Sequence, residues 1–348
     1  MYSPDSGIRK MAELKDSARR KLAAVRTRRQ LWPCLQPLLR LGGEGAVRKV
    51  RQMLWPSSMK HMHEFPLEVD LLPDPADGWH VKRPAAAACR TAGLSNLASA
   101  RRGRCVIAAS GPSARTFPWQ EVPNDVFVLG VNGAVAVTEN AGRPLDGFLA
   151  TDPDFFQTRM SLVGQSVRQA QVVVLSFLGL AHVARDMPEL LREAASRIYV
   201  IEPVNRYFAI PRLKPQELAS LLATEPSLVV GGELSEFAQE RLGWSNDIRK
   251  GVFTARTVAY TALQTAAFMG FDDILLAGAD FTAGGRAYAE PDGARPSKID
   301  RDFDRIIGKA FALAFDQCRQ RDIAVYNSSS TSRLQEILPY RHPDRLVQ

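Results

Sequence analysis

In 104-RCVIAASGPSARTFP-118 a short apolar run, Cys105–Ala109, stops at Ser110-Gly111-Pro112-Ser113. Glycine followed by proline forces a turn, so the run reads as a buried strand that ends there. Comparable runs recur outward from it at Val126–Val131, Gly147–Ala150, Val172–Phe177, Ile198–Ile201, Leu228–Val230, Ile274–Ala277 and Ile323–Tyr326. Helical patterns fall between them, near 157–169, 181–195, 213–223, 252–269 and 300–320. Strand-length Val/Ile/Leu runs alternating with helices predict an α/β fold, a doubly wound, mostly parallel, Rossmann-like sheet. Ligands of such sheets bind beyond the carboxyl ends of the strands.

The residues at those ends are small and polar. Ser110-Gly111-Pro112-Ser113 follows the first run and Asn132-Gly133 the second. Thr151-Asp152-Pro153-Asp154 follows the third, Gly278-Ala279-Asp280-Phe281 the run at 274–277, and Asn327 through Arg333 the last. A structural sheet needs turns but does not need Asn, Asp and Ser at nearly every carboxyl end, so a ligand crevice is expected there. Ser110, Gly111 and Ser113 offer hydroxyls and backbone amides suited to a phosphate or ribose, with Asn132 beside them. No Gly-Lys-Ser/Thr completes a Walker A loop and no GxGxxG is present, which argues against a P-loop NTPase or an NAD enzyme.

The 348 residues suffice for one large α/β domain or two smaller ones, and 45% of them are hydrophobic, so a sizeable core can be buried. Four scattered cysteines form no CxxC pair, which fits a reducing cytosol and argues against structural zinc. His61 and His63 make a weak metal signal and read more simply as part of a linker. No apolar segment is long enough for a membrane span, and residues 1–30 hold no signal-peptide core. The net charge of +8 is uneven, since residues 1–60 carry fourteen Lys/Arg against four Asp/Glu, a net of +10 that leaves −2 for the remainder. Ile8, Met11, Leu14, Ala18, Leu22 and Val25 share one helical face, with arginines crowding the other positions and Trp32 and Trp55 behind. A basic amphipathic helix with tryptophans suits an anionic membrane surface. An extension packed on its own domain gives the same pattern, and so does nucleic acid, which ranks last. The expected organisation is a basic helical extension at 1–60, a linker or wrap-around segment rich in Pro, Ala and Gly at 61–98, and a Rossmann-like domain at 99–340.

The stretch CVIAASGPSARTFPWQEVPNDVFVLGVN resembles the N-terminal signature of bacterial sialyltransferases that use CMP-sialic acid. GFLATDPDFF and AAFMGFDDILLAGADFTAGGRAYA resemble two later blocks of that family, in the same order. A nearer resemblance is to bacterial lipopolysaccharide core biosynthesis proteins, carried by ASGPSARTFP, VNG, DPDF, ARTVAY, GADF, PSKIDRDF and NSSSTSRL. It implies a glycosyltransferase-like protein of the cell envelope, cytoplasmic or peripheral on the inner membrane. The implied donor is a nucleotide-activated sugar such as a CMP-linked ulosonic acid, and the implied acceptor a lipopolysaccharide or other glycan. The sialyltransferases keep a histidine base just before a Ser-Lys pair; the matching position here is Pro296, before Ser297-Lys298, and no histidine lies between His182 and His342.

A transferase of this kind needs a base for the acceptor hydroxyl and positive charge or hydroxyls for the departing phosphate. Without the histidine, a carboxylate must serve as the catalytic group. Asp152 is the first candidate and Asp280 the second. Asp152 and Asp154 share a spacing that could hold Mg²⁺ or Mn²⁺; the plainer reading is an N-cap before a helix starting near Phe156. Arg256 and Thr257, near the start of the 252–269 helix, form an anion seat. Ser297, Lys298 and Ser328 are further nucleotide contacts. Two other functions fit the pattern: a nucleotide-dependent diphosphokinase like the archaeal 6-hydroxymethylpterin enzymes, and a non-catalytic binding protein on the same fold.

Overall fold

The computed structural model describes residues 56–62, 64–66, 68–83, 86–231, 242–282, 285–288 and 299–346. Residues 1–55 of the basic extension, with Ser297 and Lys298, lie outside the described residues. The described residues divide into two units, one of 56–65 with 205–226 and one of 66–204 with 227–346.

The smaller unit has a 3-10 helix, Ser57–Met62, and an α-helix, Pro215–Thr224, that starts with proline in its first turn. Asn205, at φ 61°, closes the loop ahead of that helix, accepting from the Leu213 amide at 2.6 Å and donating to the Leu213 carbonyl at 3.2 Å. The Phe65 and Phe208 rings meet at 5.0 Å.

The larger unit opens with β1 (Asp70–Pro73), β2 (Trp79–Arg83) and β3 (Ala86–Arg90), a three-stranded antiparallel sheet. This sheet occupies the segment read as linker or wrap-around. Its inner face shows little in sequence, because Leu71 and Val81 are among the few apolar side chains it buries. Asp74 ties its first turn, accepting from the Ala76 amide at 2.8 Å and pairing with Arg90 at 2.7 Å and His80 at 2.5 Å.

The main sheet begins with β4 (Arg104–Ala108), β5 (Phe127–Val131), β6 (Gly147–Ala150), β7 (Val172–Ser176) and β8 (Ile198–Ile201). Next in the chain, β9 (Leu228–Val230) pairs antiparallel with β10 (Gly243–Ser245) apart from that sheet. The chain then returns with β11 (Asp273–Ala277) and β12 (Ala324–Asn327). The seven strands run in the order β12-β11-β4-β5-β6-β7-β8, every neighbouring pair parallel. The doubly wound α/β fold expected from the sequence is thus present. Every residue of β5, β6 and β7 is buried, which is why these strands read as unbroken apolar runs. The helix Val258–Met269 is buried on nearly all sides and packs across β4, β5 and β6.

This order positions the site. From β4 the chain winds one way through β5 to β8, then crosses back to β11 on the other side of β4. The switch point therefore lies between β4 and β11, and the crevice of a doubly wound sheet opens at the carboxyl ends of such a pair. The first run of the sequence ends at this place.

Candidate functional site at the sheet switch point

Ser110-Gly111-Pro112-Ser113 leaves β4 and passes into a single 3-10 turn, Pro112–Arg115. Its amides are not the open cradle expected from the sequence. The Gly111 amide donates to the Gly278 carbonyl at 2.8 Å, the Ser113 amide to Asp280 Oδ2 at 2.9 Å, and the Ala114 amide to the Gly111 carbonyl at 3.0 Å. The need for glycine at 111 is also internal. A Cβ there would lie 2.4 Å from Asp280 Oδ2 and 2.6 Å from the Gly278 carbonyl oxygen. The β4 and β11 loops are packed too closely for a side chain, so the residue is fixed by loop packing.

Binding capacity falls instead on side chains. Asn132 follows β5 in the left-handed region, at φ 50°, and is 8% exposed. Its Oδ1 and the Ser113 Oγ are buried atoms with no hydrogen-bond partner among the described residues. Buried polar groups are seldom left so, and where they are, a ligand or water is the usual partner. Gly133, next to Asn132, lets the Tyr288 ring lie directly over the backbone; a Cβ at 133 would meet that ring at 2.3 Å. The segment carrying Tyr288 is stitched to the β4 loop. The Ala287 amide donates to the Ser110 carbonyl at 2.8 Å, and the Arg115 guanidinium donates to the Ala287 and Arg286 carbonyls at 3.0 and 2.8 Å. Arg159 and Arg286 each lie 5.9 Å from the Tyr288 ring centre. Tyr288 was not among the sequence candidates, since no periodicity marks an aromatic in a loop.

Asp280 is 3% exposed at the end of β11. Its Oδ1 accepts from Ser329 Oγ at 2.6 Å, while its carbonyl accepts from the Arg333 amide at 3.1 Å. Ser328, the sequence candidate, donates through its hydroxyl to the Leu276 carbonyl at 3.1 Å, so its neighbour Ser329 is the residue that reaches the switch point. Ser332 donates to the Ala279 carbonyl at 2.6 Å. Neither Ser329 nor Ser332 could be told from the other serines of a serine-rich loop by sequence alone.

Asp152 leaves β6 as the N-cap of the helix Pro153–Thr158, its Oδ1 accepting from the Asp154 amide at 3.0 Å. Asp154 stands in the first turn, where a negative charge is favoured by the helix dipole. Helix initiation thus engages one carboxylate oxygen of Asp152 and explains the place of Asp154 in the first turn. Among the described residues no group of three His, Cys, Asp or Glu side chains is gathered to hold a metal ion. Strands are spaced by about 4.8 Å, so Asp152 and Asp280, three strands apart, stand roughly 14 Å from one another at the edge of the sheet. The sequence candidates therefore form no single cluster: Ser110, Gly111, Ser113 and Asp280 meet at the switch point, Asn132 is one strand away and Asp152 two.

Arg256 and Thr257 stand at the entrance of the helix Val258–Met269, with Thr257 as its N-cap. This helix leads into β11, so its start lies toward the carboxyl edge of the sheet. Ala255 and Arg256 are both left-handed, at φ 40° and 60°. Arg256 Nε donates to Asp302 at 2.5 Å, and Asp302 is 3% exposed. An internal carboxylate thus already sits at the seat predicted for a ligand anion.

A doubly wound sheet with a polar crevice at its switch point defines the class as an α/β protein of the kind that receives ligands beyond its strand ends. The family is given by residues 90–343, which match the family model described as 3-deoxy-D-manno-octulosonic acid transferase WaaZ; the chain belongs to this family. It is a glycosyltransferase of lipopolysaccharide core biosynthesis. A relative from Salmonella typhimurium, named as a probable 3-deoxy-manno-octulosonic acid transferase, is 26% identical over 239 residues, covering 68% of this chain and 86% of its own length. Among solved structures, the sialyltransferase CstII from Campylobacter jejuni, in complex with the substrate analogue CMP-3FNeuAc, is 14% identical with a TM-score of 0.38, covering 68% of this chain and 85% of that one. The monofunctional α-2,3-sialyltransferase Cst-I from Campylobacter jejuni is 14% identical with a TM-score of 0.40, covering 69% and 81%. Nothing in these comparisons supports the diphosphokinase or non-catalytic readings. No helix among the described residues is long and apolar enough to cross a membrane.

Proposed function

We propose that this chain transfers 3-deoxy-D-manno-octulosonic acid from its CMP-linked form to a hydroxyl of a lipopolysaccharide acceptor. The nucleotide sits across the ends of β4 and β5, on Ser110, Ser113 and Asn132, with Gly111 fixing the loop beneath. The observation that carries this reading is Asn132: a left-handed, buried asparagine whose Oδ1 has no partner among the described residues, after the strand next to the one that leads to Ser113, whose Oγ is equally unpartnered there. Left-handed non-glycine residues cluster at ligand sites, and an orphaned buried acceptor calls for a partner such as water or a bound group. The family's donor chemistry supports the choice of sugar.

In the transfer, a base takes the proton of the acceptor hydroxyl. The freed oxygen bonds to the anomeric carbon as the bond from that carbon to the CMP phosphate oxygen breaks, and CMP leaves. Asp152, one strand beyond Asn132, is the base in this scheme. Thr257, Ser297 and Lys298 are the groups assigned to the departing phosphate, while Arg256, paired with Asp302, would have to exchange that carboxylate for the phosphate to join them. Residues 1–60 bring the protein to the anionic inner-membrane surface where the acceptor is embedded.

Calorimetric titration of the full chain with CMP, UDP, GDP and ATP with Mg²⁺ tests the reading. CMP is expected to bind tightest, and Asn132→Ala to weaken it about 10-fold, the usual cost of one lost buried hydrogen bond. Preference for another nucleotide, or an unchanged CMP affinity in a folded Asn132→Ala protein, refutes it.

A further inference from the structure

We infer that Asp280 is a positioning residue that clamps the nucleotide loop in its binding shape, and that it is not the base. The inference rests on the nucleotide reading above but is separable from it. Both carboxylate oxygens of Asp280 are engaged inside the protein, Oδ2 by the Ser113 amide at 2.9 Å and Oδ1 by the Ser329 hydroxyl at 2.6 Å. These donors come from two strand-end loops, one after β4 and one after β12, and the carboxylate itself stands on the loop after β11. One side chain therefore joins three neighbouring loops at the switch point. Main-chain bonds reinforce the join, from the Gly111 amide to the Gly278 carbonyl at 2.8 Å and from the Arg333 amide to the Asp280 carbonyl at 3.1 Å.

The site is built around this clamp. Gly111 leaves only enough space for Asp280 Oδ2 to approach. Phe281, next in the chain, is left-handed at φ 56°, and its ring is held by Phe303 at 5.9 Å and Phe311 at 5.5 Å. A strained residue persists where its surroundings over-determine it. With its amide bound to Asp280, Ser113 keeps its Oγ buried and without a partner among the described residues at the proposed nucleotide site. A general base must reach the proton it removes. Asp280 is 3% exposed, both its oxygens are committed to the loops, and it lies roughly 14 Å from Asp152 across the sheet.

Asparagine separates the two roles. An amide at 280 can turn its oxygen to the Ser113 amide and its NH₂ to Ser329 Oγ, because a hydroxyl accepts as readily as it donates. Ser329 can then give its own proton to Thr331 Oγ1, 3.2 Å away. Asp280→Asn thus keeps the clamp and removes any base, whereas Asp280→Ala removes both.

The experiment measures CMP affinity by calorimetry, amide exchange at Ser113, and the pH profile of kcat/KM with the CMP-linked sugar, all on the full chain. Asp280→Ala is expected to weaken CMP about 10- to 100-fold, the cost of leaving buried donors unsatisfied, and to speed Ser113 exchange. Asp280→Asn is expected to bring affinity back to within about 5-fold of wild type, with the acid limb of the pH profile in place. If Asp280→Ala does not fold, Ser329→Ala, which removes one arm of the clamp, should weaken CMP by about 5-fold. Asp280→Asn losing about 100-fold or more in turnover at unchanged CMP affinity would identify a base and overturn the inference. Wild-type CMP affinity and Ser113 exchange in Asp280→Ala, or in Ser329→Ala where only that variant folds, would overturn it too. If the wild type takes up no CMP, the function reading fails, while Ser113 exchange in Asp280→Ala against Asp280→Asn still judges the clamp.

Discussion

Asparagine caps a helix as well as aspartate does, so Asp152→Asn should leave the helix Pro153–Thr158 and the fold intact. What it removes is the capacity to take a proton. Turnover is expected to fall by about 10²- to 10⁴-fold with CMP affinity nearly unchanged, the usual range for loss of a general base. Full turnover in that variant would move the base elsewhere, and lost CMP binding would point to a ribose or metal role for Asp152. His182 is the second residue whose chemistry can be read directly. It is buried on the helix Phe177–Asp186, stacked 6.2 Å from the Phe156 ring, with its Nδ1 3.2 Å from Arg185. Burial first, and the Arg185 guanidinium second, push its pKa down from 6.5 to about 4, against a smaller opposing pull from Asp186. The unfolded chain binds a proton at His182 below about 6.5, and the folded chain binds none until about 4. Its contribution is therefore fully present above 6.5 and is lost as pH falls toward 4, by about 3 kcal/mol in all. Urea midpoints measured from pH 7 to 4.5 should fall less steeply in His182→Leu than in wild type; equal slopes would contradict the burial argument.

At the scale of elements, Arg256 and Asp302 join the start of one helix to the end of a short one. Asp302 ends the helix Ile299–Asp302, which runs through a π-turn, Phe303–Ile307, into the helix Gly308–Arg319. Arg333 grips the same run from the other side, pairing with Asp300 at 3.1 Å and Asp304 at 2.5 Å while lying 4.1 Å from the Phe303 ring centre. The blocks ARTVAY, PSKIDRDF and NSSSTSRL, far apart in the chain, thus converge in space. Their convergence was not legible in sequence, because an ion pair between residues 46 apart leaves no periodic signal. The strands were legible for the opposite reason. Buried parallel strands must be apolar throughout, and each of the main-sheet runs read from the sequence lies within one residue of a strand at both ends. Leu228–Val230 is a strand as expected, but it pairs with Gly243–Ser245 outside the main sheet, since an apolar run shows that a strand is buried and not which partner covers it. The polar strand ends were readable as a crevice. Which serine or amide serves it was not, because that depends on the close packing of loops from β4, β11 and β12, seen in Gly111 against Asp280 and in Ser329 in place of Ser328.

The whole chain separates charge from chemistry. Residues 1–60 carry a net +10, and the remainder, which contains the switch-point site, carries −2. An acidic domain alone gains nothing from an anionic surface, so any attraction to one must come through the basic segment. Each Lys or Arg close to such a surface contributes about 1 kcal/mol, and the attraction fades within a Debye length of about 8 Å at physiological salt. A few of the fourteen Lys/Arg engaged together would suffice for peripheral attachment, with the tryptophans seated at the interface. The full chain is therefore expected to sediment with vesicles containing phosphatidylglycerol, and not with neutral vesicles. Raising the salt to about 0.5 M should release it, because screening shortens the reach of the exposed charges. A chain lacking residues 1–55 keeps all the described elements and should remain in the supernatant while binding CMP as the full chain does. Sedimentation of that shortened chain with anionic vesicles, undiminished, would show that the basic segment is not what brings the protein to the membrane.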